Sequence, residues 1–117
     1  MTEFAFIFRQ TPIQLTDEQQ KQRAAQVAAW ATRLRDQGHS MHPYLLGKQP
    51  TLITLHDSAG APSGDPIVAI LIAGFSNIEE ARAAAASHPG LHYGITIEIR
   101  EASAPQFQTP PPSQPAQ

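Results

Sequence analysis

From Ile67 to Phe75 the chain reads IVAILIAGF, without one polar side chain. Even with Pro66 included, the run is about half the ~20 residues that a membrane helix needs. Its β-branched residues favour an extended backbone. A strand with one wet face alternates apolar and polar residues, whereas this one is apolar at every position and so needs cover on both faces. Any sheet built around 67–75 must therefore have a layer on each side.

The rest of the chain has to supply those layers from a small stock. Its 117 residues, 41% hydrophobic and 15% charged, amount to one domain. A domain of this size keeps much of its surface exposed, so burying a face against a second copy adds stability. A net charge of −2, from 8 basic and 10 acidic residues, gives no field that would attract nucleic acid or an anionic membrane. The absence of cysteine excludes disulfides, thiolate catalysis and Cys-ligated zinc. The opening MTEFAFIFRQ reads as a strand and not as a signal peptide. The expectation is a cytoplasmic protein with neither nucleic acid nor membrane as partner.

Phe4, Phe6 and Phe8 alternate with Glu3, Ala5, Ile7 and Arg9, which predicts a first strand with one aromatic face. LTDEQQKQRAAQVAAWATRLRDQGH, residues 15 to 39, predicts a helix. Thr16 and Gln19 form a capping box, Asp17 and Glu18 suit its N-terminal end, and Gly38 closes it. Ala24, Val27, Ala31 and Leu34 make its apolar stripe, with Trp30 at the border. Two short extended pieces follow, at 44–47 and 51–57, joined by a turn with Gly47 and Pro50, and 58–66 is a small, polar loop. After the 67–75 strand, Ser76 with Glu79 predicts a second capping box and a helix that ends at Pro89-Gly90. Residues 93 to 101 form the last strand, and the Pro- and Gln-rich tail from 103 to 117 is disordered.

The predicted order is β, α, β-hairpin, β, α, β over residues 1–102. Two β-α-β units sharing one sheet give a ferredoxin-like α+β plait, with both helices on one face of an antiparallel sheet. The doubly apolar strand then leaves its other face uncovered. A second subunit packing sheet to sheet would cover it, making a homodimeric α+β barrel.

Candidate site residues cluster late in the chain, in SHPGLHYGITIEIRE at 87–101. Ile95, Ile97 and Ile99 point one way and Thr96, Glu98 and Arg100 the other. With the isoleucines under the helices, Glu98 and Arg100 join Arg9, and Glu3, on the opposite face. That polar side is either simply solvated, an ion-pair network across the subunit seam, or a contact for a small anionic or carbonyl ligand. His88 continues the Ile78, Ala81, Ala85 stripe, so its ring leans toward the sheet. The helix dipole explains it structurally, and substrate contact, acid-base work or metal binding are its other readings. His39 and His42, in a turn, with His56 and His92, read mainly as surface groups. The motifs of phosphate loops, zinc hydrolases and serine hydrolases are absent, and the sequence calls for no metal and no cofactor.

ASHPGLHYGITIEIRE resembles the C-terminal signature of the YCII-related proteins, in particular their DGPF-domain branch. His88-Pro89, Tyr93-Gly94, Glu98 and Arg100 fall on its places, and EFAFIFR, the Trp30 helix and GFSNIEEARAAAASHP are similar too. The Asp-Gly-Pro-Phe segment stands here as GDPI, Gly64 to Ile67. The first-helix histidine of that family has no counterpart among Arg23 to Val27, and its acidic dyad partner is replaced by His88. The resemblance implies a dimeric α+β barrel with a cleft near His88, Tyr93, Glu98 and Arg100. It also implies small-molecule chemistry, since dehalogenase-like and lactone-processing members belong to the family. Three functions stay open. One is a module binding a small organic molecule through Arg9, Tyr93, Glu98 and Arg100. Another is a lyase-, isomerase- or dehalogenase-like enzyme, with His88 as its acid-base group. The third is a protein-interaction module using the tail or outer helix faces.

Overall fold

A computed structural model describes residues 1–55 and 64–105. Residues 58–63 of the loop expected at 58–66, the pair His56 and Asp57, and most of the tail, 106–117, lie outside the described residues. The elements are β1 (Thr2–Gln10), α1 (Asp17–Asp36), β2 (Met41–Leu45), β3 (Ile67–Phe75), α2 (Ile78–Ala86), a short 3-10 turn (Pro89–Tyr93) and β4 (Ile95–Ala102). The four strands form one antiparallel sheet in the order β2-β3-β1-β4. This small α+β arrangement is compatible with a ferredoxin-like plait. Among the described residues no helix is long and apolar enough to cross a membrane.

One face of the sheet makes the core. Phe4, Phe6 and Phe8 of β1 pack with Leu71, Ala73 and Phe75 of β3 under Trp30 and Leu34 of α1 and Ala81, Ala84 and Ala85 of α2. Ile95, Ile97 and Ile99 join this cluster from β4. The Phe6 and Phe75 rings stack nearly parallel at 5.7 Å. Alternation in β1 thus puts its aromatic face under the helices, where burial of each ring contributes about 1.5–3 kcal/mol. The opposite face carries Ala5, Ile7, Ile70 and Ile72, half-buried and covered by no described element of this chain.

Local signals account for the helices. Thr16 Oγ1 accepts from the Gln19 amide at 3.1 Å and Gln19 Oε1 accepts from the Thr16 amide at 2.9 Å, the reciprocal box expected from the sequence. Helix α1 ends at a Gln37 cap followed by Gly38 with φ of 94°. The start of α2 lies one residue later than expected. Asn77, not Ser76, is the cap, accepting from the Glu80 amide, and Glu80 in turn takes the Ser76 amide.

The expected hairpin is corrected. Its first strand lies at 41–45 in place of 44–47, and residues 51–55 are not a strand. The β-propensity of TLITL is a preference for a half-buried pleated surface, but 51–55 pairs with none of the four described strands, and Ile53 and Leu55 stand exposed. Strand β2 is an edge strand, which tolerates its Pro43. Met41 and His42 are therefore in a strand and not in a turn. His39 is also not a surface group: it is half-buried, with Nδ1 2.8 Å from the Gly74 carbonyl oxygen and its ring 4.4 Å from that of Phe75.

Candidate functional site

Helix α1 is held off the sheet. Of its side chains only Trp30 and Leu34 are buried, while Val27 and Ala31 are half-buried and Ala24 is exposed. Alanine and valine are too short to fill the space down to β2 and β3, and Trp30 acts as a strut. Its indole Nε1–H donates to the Ala84 carbonyl at 3.0 Å and to Ser87 Oγ at 3.1 Å, tying α1 to the end of α2. Trp30 is thus at the centre of the buried face, not at its border.

The unfilled space is a cleft of about 550 Å³, within the range of small-molecule sites. Phe8, Val68, Leu71 and Ile95 line it from the sheet, and Val27, Trp30 and Ala31 from α1. Arg23 and Arg35 line it as well, and no carboxylate does. Neither guanidinium has an ion pair or hydrogen bond with a described residue. No acid stands three or four positions from either along the helix, so local pairing is denied by the sequence itself.

His88 lines this cleft, 7% exposed, with its ring edge-on to Trp30 at 4.6 Å and tilted against Phe8 at 5.0 Å. It caps the 3-10 turn: the Gly90 amide donates to His88 Nδ1 at 2.9 Å. Gly90 must be glycine here, since a Cβ would come within 2.9 Å of the imidazole. Burial pushes the His88 pKa down to about 4, so the ring is neutral at pH 7. With Nδ1 an acceptor, the proton sits on Nε2. Nε2 has no hydrogen-bond partner among the described residues, and none of their fully enclosed side-chain polar atoms is unpaired, so Nε2 keeps accessible surface. The cleft therefore has an apolar wall, the His88 N–H donor and two arginines with no acid partner on the lining.

The other candidates lie elsewhere. Arg9, Glu98 and Arg100 form a network on the uncovered sheet face. Arg100 Nε donates to Glu98 Oε2 at 2.6 Å, and Arg9 stands 3.7 Å from Glu98 Oε1. The Arg100 hydrogen bond and charge, with Arg9 adding to them, hold the Glu98 carboxyl below the usual carboxylate range. Arg9 also donates to the Asp65 carbonyl at 3.3 Å. Tyr93 is not among the residues that line the cleft; its hydroxyl stands 3.4 Å from Gln26 Oε1 on α1. Gly94 after it has φ of 85°, and a Cβ there would lie 2.6 Å from Thr11 Oγ1. That turn delivers the chain into β4 and fixes which face Glu98 takes.

The structure thus separates the expected group. His88 lines the cleft and Tyr93 does not, while the thickness of the sheet divides His88 from Arg9, Glu98 and Arg100. Arg23 and Arg35 escaped the sequence reading, although arginines on the stripe of α1 without acids at helical spacing were the available signal. No protein-family model matches this sequence, and no curated protein matches it either.

Proposed function

We propose that this chain is a YCII/DGPF-like protein that binds a small organic molecule in the cleft between α1 and the sheet, and that it works as a homodimer. The observation that carries the reading is His88: a neutral imidazole with a spare N–H donor, nine-tenths buried on the wall of an apolar cleft. That donor keeps accessible surface on the cleft wall, so a ligand acceptor would meet it in place of water. The same geometry favours binding over acid-base catalysis. A group that gains its proton only near pH 4 is a weak base at pH 7, and its Nδ1 is already engaged. The half-buried isoleucines of the uncovered face support the second subunit, which would make the paired sheets a dimeric α+β barrel with Arg9, Glu98 and Arg100 at the seam.

Trp30 is the sole tryptophan and lines the cleft, so its fluorescence reports occupancy. A library of small apolar acids, ketones and alcohols should contain compounds that shift its emission and raise the melting temperature together. At 100 times its dissociation constant a ligand adds about 2.7 kcal/mol of stability. A library in which no compound moves either signal would remove the proposal.

A further inference from the structure

We infer that the cleft takes an elongated apolar carboxylic acid bearing a second oxygen along its chain, with the carboxylate held at Arg23 and the inner oxygen accepting from His88 Nε2–H. This rests on the reading of the cleft as a small-molecule site. Three observations select the class. The wall between α1 and β3 is aliphatic and aromatic, which fixes an apolar body. The charged groups on the lining are both guanidiniums, and no carboxylate neutralises them, which fixes the sign of the ligand's charge. Gln10, the remaining amide on the lining, spends its N–H groups on the Thr11 and Tyr93 carbonyls, so it does not compete with His88 as a donor.

Position within the helix decides between the arginines. Arg23 and Arg35 are about 18 Å apart along α1, too far for one carboxylate to meet both. Arg23 is half-buried, whereas Arg35 is exposed. A partly desolvated guanidinium gives a carboxylate the stronger, less screened bond. Trp30, against which His88 packs, is about 10 Å from Arg23 along the axis. The ligand therefore needs an extended body between its two polar groups.

Decanoate, 1-decanol and 9-oxodecanoate, each below its aggregation concentration, test this by titration calorimetry and Trp30 fluorescence on the full chain. The expected result is that decanoate binds at least tenfold tighter than decanol, that Arg23→Gln abolishes this difference without weakening decanol, and that Arg35→Gln leaves it. The oxo acid should bind several-fold tighter than decanoate. Equal binding of decanoate and decanol would overturn the anionic class while leaving the cleft a binding site. An acid preference that survives Arg23→Gln would overturn the role of Arg23, and an oxo group that adds nothing would overturn that of His88. Binding of none of the three would overturn this inference, and the reading beneath it falls as well only if the wider library also moves neither signal.

Discussion

At His88 burial alone displaces the proton equilibrium, and that displacement is also a statement about stability. Unfolded, the imidazole takes a proton near pH 6.5; folded, only near pH 4. Between those values the unfolded chain binds more protons, so stability falls as pH drops from 6.5 toward 4 and this loss stops below 4. Its size is on the order of 3 kcal/mol. Glu98 acts in a separate window: its lowered carboxyl pKa contributes stability above the ordinary carboxylate value, lost only at more acid pH. His88→Asn keeps an acceptor for the Gly90 amide and does not titrate. Urea denaturation between pH 7 and 4 should therefore give a falling curve for the parent chain and a flatter one for the variant. Parallel curves would show that His88 is not a buried neutral group. The inward lean of this ring was legible in the sequence, because His88 continues the Ala81 and Ala85 stripe. The central place of Trp30 was not, since its alanine-rich surroundings give a faint stripe, and its indole finds its partners on a helix 54 residues away.

Helix α1 buries two side chains of its 20 residues, so its persistence leans on local terms more than on packing. The Thr16–Gln19 box supplies two of those terms. Thr16→Ala should cost about 1 kcal/mol in denaturant unfolding and should speed amide exchange through the first turns of α1 while leaving β1 and β3 unchanged. Uniform acceleration across the domain would instead mean that α1 and the sheet open as one unit. Such a helix end was fully legible, because both partners of the box lie within four residues. In α2 the choice between Ser76 and Asn77 was not, since both residues can cap and acids follow each at the right interval. Side-chain placement decides it, with Glu80 taking the Ser76 amide. The stretch 51–55 shows the opposite limit: its residue types fit a strand, but pairing needs a neighbouring edge, and only tertiary structure provides one.

The demand set by IVAILIAGF, a layer on both faces, is half met within one chain. Helices cover the Phe4, Phe6, Phe8 side, and the Ile7, Ile70, Ile72 side stays half-buried beside Tyr44 and His42 of β2. Leu45, Ile53 and Leu55, each about nine-tenths exposed, extend the apolar surface past the sheet edge. A 12.7 kDa chain that leaves so much apolar area in water forgoes about 25 cal/mol for every Å² it could bury. Sheet-to-sheet pairing of two copies, as proposed, would recover it and would also enclose the Arg9–Glu98–Arg100 network, whose internal neutralisation of Glu98 lowers the cost of dehydrating that carboxylate. The uncovered face, and the side that Arg9, Glu98 and Arg100 take, were legible because period-two alternation fixes them; the cleft under α1 was not, because it depends on how far that helix stands from the sheet. Sedimentation of the parent chain should give twice the monomer mass at micromolar concentration. Ile72→Lys, placed at the middle of the open face, should give monomers that retain helix content and the Trp30 emission. A parent chain that sediments as a monomer would mean that the face stays in water. A dimer that survives Ile72→Lys would move the contact to the 44–55 segment.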